Sequence, residues 1–250
     1  MKARIKFRKY GCLRFIGHLD VMRCFQKVMR RAQIPIAFTG GYSPHMIMSF
    51  AQPLGVGVTS DGEYLDIELT EPIASERAVR QMNDVMAEGI EVVSFVEIPE
   101  EKKYSGMTIT AAAEYEVTLL ESGESAEKKK SIPAGWRKLA GEFLARDEIM
   151  VMKKTKRSEK EVDIKAMIYE MEVTEGAVRL FLAAGSENNL KPDLVMEEFF
   201  RFAGEEPGNV PFHVHRTDIY AKSEKAADAG CAHAKGIGLV TLESLGREIK

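Results

Sequence analysis

The order strand, helix, strand, strand, helix, strand, met twice along 250 residues, predicts an α+β fold of two tandem ferredoxin-like (βαββαβ) halves with a loose C-terminal tail. Two observations carry most of this reading. Residues 3–8 alternate strictly between apolar and basic side chains, and an apolar stripe at spacings of three and four follows His18. Short apolar runs separated by Gly and Pro then continue the pattern. The halves are placed at residues 1–98 and 113–222, with a Glu-, Lys-, Ser- and Gly-rich linker at 99–112 and a tail at 223–250. The duplication rests on element order alone, without a residue-level repeat.

In the first strand Ala3, Ile5 and Phe7 face a core while Lys2, Arg4, Lys6 and Arg8 face solvent. Leu19, Met22, Phe25, Met29 and Ala32 form the buried stripe of a helix from about His18 to Gln33. Pro35 stops that helix, because its ring disfavours helical geometry in the residue before it. Ile36–Phe38 is a short strand, and 39–60 is a long loop rich in Gly and Pro, of the kind often kept for function. A strand from Tyr64 to Leu69 follows, then a helix capped by Ser75 and ended by Gly89, then a strand from Ile90 to Ile98. In the second half strands are expected at 115–120, 149–152 and 212–220, with a hairpin of 164–173 and 178–183. Helices run from Trp136 to Leu144 and from Pro192 to Phe202.

No run approaches the roughly 18 apolar residues of a membrane span. The basic start lacks the apolar stretch and cleavage site of a secretory signal. Cys12, Cys24 and Cys231 form no CxxC or CxxxCxxC pattern, which argues against a disulfide scaffold and against a zinc or iron–sulfur site. A reducing cytoplasm is the expected location, with no cofactor and no metal.

The overall charge of −3 conceals a strong asymmetry. Within the first sixty residues Lys2, Arg4, Lys6, Arg8, Lys9, Arg14, Arg23, Lys27, Arg30 and Arg31 face a single acid, Asp20, a net +9. Such a concentration suits RNA or another polyanion. A charged strand face alone is ordinary solvated surface. The helix adds Arg23, Lys27, Arg30 and Arg31 on one side, which extends the strand into a multi-phosphate footprint. Gly40 and Gly41 allow backbone N–H groups to aim at an anion, Tyr42 offers a ring for stacking, and Ser43 and His45 offer polar contacts. The run from Lys153 to Lys165, including Lys156 and Lys160, is a second basic stretch with a net +3. His18 and His45 are the histidines of the basic half and the candidates for an acid/base pair. Asp20 is accounted for by the helix dipole. His213 and His215 share a strand face, but no third metal ligand accompanies them.

Arg14-Phe15-Ile16-Gly17-His18-Leu19-Asp20-Val21-Met22-Arg23 is the most recognisable stretch of the chain. Taken with Arg30-Arg31-Ala32, Gly40-Gly41-Tyr42-Ser43-Pro44-His45, Pro53-Leu54-Gly55-Val56-Gly57 and Gly62-Glu63-Tyr64-Leu65-Asp66, it resembles the bacterial radical-SAM-linked protein family. That family is a domain of unknown function found fused to, or encoded beside, a radical S-adenosylmethionine enzyme. The stretch from Lys156 to Ile164 and Arg216-Thr217-Asp218-Ile219-Tyr220 resemble its later motifs, so the likeness covers about residues 1–222. It implies work beside a radical enzyme acting on RNA or the translation machinery. A looser similarity, on element order only, is to repeat-associated RNA endonucleases built from paired ferredoxin-like domains.

The reading that follows is an RNA- or polyanion-binding accessory protein partnered with a radical-SAM enzyme. One alternative is a metal-independent RNA-processing endonuclease using His18 and His45. Another is a protein-binding scaffold.

Overall fold

The computed structural model describes residues 1–121, 128–154, 159–222 and 238–250. The chain is α+β and divides into two compact units. Unit 1 comprises Met1–Ala111 and Arg216–Lys250, and unit 2 comprises Ala112–His215.

Unit 1 begins with β1 (Lys2–Lys9), α1 (His18–Arg31), β2 (Met48–Phe50), β3 (Thr59–Glu68), α2 (Ser75–Asn83) and β4 (Ile90–Ile98). The strands lie in the order β4-β1-β3, with β2 pairing to β3, and β1 is antiparallel to both neighbours. The predicted alternation places Ala3, Ile5 and Phe7 in the core at 0, 0 and 2 % exposure. Phe25, Val28 and Met29 of α1 and Ala78 and Met82 of α2 complete that core. Phe7 meets Phe25 edge-on at 4.8 Å.

Three local expectations change. Ile36 and Phe38 make only isolated bridges, to Leu69 and Met46, and the strand proper is β2, inside the expected loop. Leu19 is 59 % exposed rather than part of the buried stripe, because it lies in the first turn, beyond Val21 and Phe25, where α1 meets the core. α2 stops at Asn83 instead of continuing to Gly89. The Asn83 amide donates to the Val92 carbonyl and accepts from the Val92 N–H, which ties the helix end to β4.

The expected linker is structured too. It holds α3 (Gly106–Ile109) and the start of β5 (Thr110–Leu119), and the Gly106 N–H donates to Asp66 Oδ2 at 2.6 Å. The expected loose tail is likewise replaced, at 238–250, by a strap on unit 1. In it β11 (Leu239–Thr241) pairs with the end of β10 (Phe212–Lys222), a strand that passes from unit 2 into unit 1 at Arg216. Leu242 is fully buried, Arg247 exchanges backbone hydrogen bonds with Glu97, and the Ile249 N–H donates to Ser75 Oγ. Leu239, Val240 and Leu242 are buried there, and polar and backbone contacts anchor much of the rest.

Arg247 Nε donates to Glu97 Oε2 at 2.7 Å and holds the Glu97 carboxyl below the usual carboxylate range. A depressed carboxylate keeps its partner above the ordinary pKa and releases it as pH falls through the depressed value. Arg247→Ala should therefore move the Glu97 titration up toward the ordinary glutamate range, read by carboxyl-carbon NMR. An unchanged titration would mean that the strap is not seated there in solution.

Unit 2 contains most of β5, α4 (Trp136–Leu144), β6 (Met150–Lys154), β7 (Glu159–Asp163), β8 (Ile168–Val173), β9 (Val178–Ala183), α5 (Pro192–Phe202) and the start of β10. β5, β9 and β8 are consecutive antiparallel neighbours, and β6 and β7 form a separate two-stranded hairpin. Trp136 packs on Phe199 at 5.3 Å and on Phe200 at 5.5 Å, joining α4 to α5. Among the described residues no helix is long and apolar enough to cross a membrane.

Candidate nucleic-acid interface

The basic face of β1 is not a free surface. Arg4 is 1 % exposed, and its guanidinium grips Asp66 through Nε at 2.7 Å and Nη2 at 2.9 Å. Its remaining N–H groups reach the carbonyls of Leu242 and Tyr104. Lys6 Nζ donates to Asp218 Oδ2 at 2.8 Å and to Glu243 Oε1 at 3.0 Å. Burial disfavours its charge, but the two carboxylates outweigh that cost and raise the Lys6 pKa. Arg8 lies between Asp61 and Glu91, and Lys2 Nζ donates to the Glu100 carbonyl. Lys9 is buried at 1 % exposure, and burial lowers its pKa against the opposing charge of Glu63.

The alternation of β1 holds, but Arg4 and Lys6 of its second face are enclosed, while Arg8 keeps 43 % of its side chain exposed. Around Arg4 and Lys6 that face is covered by the Tyr104 segment and by the C-terminal strap, both belonging to unit 1. A buried cation needs a paired and hydrogen-bonded anion. The register supplies one directly, since Arg4 stands opposite Asp66 across the β1–β3 ladder. Arg4 and Lys6 are therefore paired and enclosed within unit 1 rather than presented on its surface.

Two motifs distant in sequence interlock where β3 and β10 are neighbours. Arg216 Nη1 donates to both oxygens of Glu63 at 3.0 and 3.1 Å, and the Tyr64 hydroxyl donates to Asp218 Oδ1 at 2.6 Å. Burial raises the Glu63 pKa, with Arg216 opposing. Burial and then the Asp218 charge raise the Tyr64 pKa, keeping the phenol protonated as a donor. Gly62 makes this possible. A Cβ there would lie 2.7 Å from the Asp218 Cα, from Asp218 Oδ1 and from the Thr217 carbonyl. Gly62→Ala should thus force β3 and β10 apart and cost about 1–3 kcal/mol or more, measured by urea denaturation. A loss below about 0.5 kcal/mol would mean that the strands have room to spare.

What remains on the surface is α1 and the two loops at its ends. Arg23, Lys27, Arg30 and Arg31 are all exposed, on the side opposite Val21, Phe25, Val28 and Met29. Arg23 pairs with Asp20 at 3.1 Å in an exposed bridge of the kind that contributes little. Lys27, Arg30 and Arg31 have no ion-pair partner among the described residues.

The entrance to α1 is anchored from below. Lys9 Nζ donates to the carbonyls of Arg14 and Ile16, and the Gly57 N–H donates to the Arg14 carbonyl at 2.7 Å. The long loop therefore does return to the helix entrance. There Phe15, Leu19 and Val56 are 61, 59 and 63 % exposed, and the Arg14 guanidinium lies 4.6 Å from the centre of the Phe15 ring. Sequence reasoning does not place these three apolar residues in the site. The signal available was a phenylalanine beside an arginine in a loop with no helical period to bury it.

Beyond the end of α1 in sequence, Gly40–His45 forms a tight excursion closed by Thr39 and His45. The Thr39 N–H donates to the His45 carbonyl, and the Thr39 hydroxyl contacts His45 Nδ1 at 3.1 Å. Gly41 takes φ +101°, a left-handed conformation open to glycine, and Tyr42 projects fully into solvent, with Gly40 and Ser43 also exposed. His18 instead packs edge-on against Phe50 at 4.8 Å. The two histidines thus have different partners, His18 an aromatic ring and His45 a threonine hydroxyl.

In unit 2 Lys153 of β6 stands opposite Lys160 of β7, which is exposed, while Lys156 lies outside the described residues. Among the described residues no three His, Cys, Asp or Glu side chains converge to hold a metal ion.

No curated protein matches the chain. A family model described as "Uncharacterized protein conserved in bacteria (DUF2344)" matches residues 2–192. The matched span includes the α1 entrance, both of its flanking loops and the Gly62–Asp66 stretch. The chain therefore belongs to the family of uncharacterized proteins conserved in bacteria, DUF2344.

Proposed function

We propose that this protein is an RNA-binding accessory module whose contact face is the exposed side of α1 with the loops at its two ends. The observation that carries the reading is the separation of cations into two populations. Those of β1 have carboxylate or carbonyl partners within unit 1, whereas Lys27, Arg30 and Arg31 lack an ion-pair partner among the described residues and share a face with Arg23. A surface row of uncompensated cations attracts a polyanion by releasing its counterions.

The partner is a radical S-adenosylmethionine enzyme of the cytoplasm, a reading supported by the sequence resemblance. The accessory role is favoured over the nuclease because His18 is engaged with Phe50 and His45 with Thr39. We further read each unit as a ferredoxin-like domain. The support is the order β4-β1-β3-β2 in unit 1 and β5-β9-β8 in unit 2, the latter with the start of β10 beside β5 and the β6–β7 hairpin as an insertion.

Fluorescence anisotropy with a labelled RNA, titrated at several salt concentrations, tests the binding reading. Affinity should fall steeply with salt. Binding indifferent to salt, or no binding at low salt, would sink it.

A further inference from the structure

We infer that the α1 face selects single-stranded over duplex nucleic acid, with Phe15 as the stacking platform for an unpaired base; this rests on the RNA-binding reading above. Phe15 is 61 % exposed at the end of a 3-10 helix, Gly11–Phe15, whose neighbouring Arg14 and Ile16 carbonyls are held by Lys9 and Gly57, so its ring is presented on an anchored backbone. Exposing a phenylalanine costs apolar hydration free energy, and here no side chain of the core covers it. The Arg14 guanidinium lies over one face of the ring, 4.6 Å from its centre, so a base would stack on the opposite face with that positive charge behind the ring.

From this platform the helix leads away with its cations in line. Leu19 and Arg23 are one turn apart, Lys27 is one turn further, and Arg30 and Arg31 follow. The row from Arg23 to Arg31 spans about 12 Å at 1.5 Å per residue. A strand with a base on Phe15 and its backbone along that row uses both features at once. A duplex uses only the cations, because its bases are already stacked on one another. Stacking on a protein ring is tolerant of base identity, since every base has a π-face.

The test uses the full chain with a twelve-nucleotide RNA of mixed sequence, labelled with fluorescein, and the same RNA annealed to its complement. The single strand should bind about tenfold more tightly than the duplex. Phe15→Ala should remove about tenfold of single-strand affinity while leaving the salt slope and the duplex affinity unchanged. Phe15→Trp should preserve the affinity. Phe15 is a surface residue, so thermal denaturation of each variant should match the parent.

Equal affinity for single strand and duplex overturns the inference, as does an inert Phe15→Ala. Full retention by Phe15→Leu also overturns it, since that shows an apolar contact rather than stacking. If neither probe binds the parent protein, the RNA-binding reading itself fails, and the two failures are thereby distinguished.

Discussion

Replacing Arg4 with alanine should destabilise unit 1 by about 3–5 kcal/mol, the cost of leaving a buried carboxylate without its partner. Asp66 is 6 % exposed and has Arg4 Nε and Nη2 at 2.7 and 2.9 Å. Removing the guanidinium also strips the Leu242 and Tyr104 carbonyls of a donor, so the strap and the α3 approach lose an anchor together. For a chain of this length the loss corresponds to a fall in Tm on the order of 10 °C.

Arg4→Lys should recover only part of it. An ammonium is a point charge and cannot place a planar fork on Asp66 while reaching two carbonyls. The double change Arg4→Met with Asp66→Leu should be markedly less harmful than Arg4→Ala alone, because no buried charge is then orphaned. Urea denaturation of these variants beside the parent decides the matter. An Arg4→Ala variant within about 0.5 kcal/mol of the parent would return Arg4 to the surface and revive the β1 face as a phosphate site.

The second large effect concerns binding. Changing Arg23, Lys27, Arg30 and Arg31 together to alanine should reduce single-stranded RNA affinity on the order of a hundredfold near 50 mM salt, taking each exposed charge pair at somewhat under 1 kcal/mol. The slope of log affinity against log salt should become shallower by about 0.7 for each phosphate no longer neutralised, or roughly 2.8 for all four side chains. These side chains lie on the exposed side of α1, away from Phe25, Val28 and Met29, so the fold should survive the changes. An affinity within about threefold of the parent, where four charge pairs should matter far more, would remove α1 from the interface. An unchanged slope with reduced affinity would point to binding through groups other than phosphates.

The two experiments also separate two uses of the same residue type. Arg4 and Arg23 are both arginines of a strongly basic N-terminal segment, yet the first should govern Tm and the second RNA affinity. Exchanged outcomes would invert the assignment of structural and binding cations.

The amino-acid sequence by itself determined the α+β class and the inward face of β1. A period of two with Ala3, Ile5 and Phe7 on one side has one way to bury its apolar atoms. It likewise determined α1, whose Phe25 and Met29 lie on one helical face, and it singled out the basic character of that helix. Those are local properties, carried by neighbours within a few residues. Only the tertiary structure decided which cations are free. Arg4, Lys6 and Arg8 lie in a segment with almost no acids, but their partners are Asp66, Asp218, Glu243, Asp61 and Glu91, all of them far along the chain. Net charge along a chain is a sum over sequence, whereas electrostatic pairing depends on distance in space, and a strand collects its neighbours from across the whole chain. The same reason hid the strap. The apolar residues of 238–250 do not say where the segment packs, and much of its anchoring comes from groups such as the Leu242 carbonyl, Glu243 and Arg247, whose value appears only when Arg4, Lys6 and Glu97 are already in place.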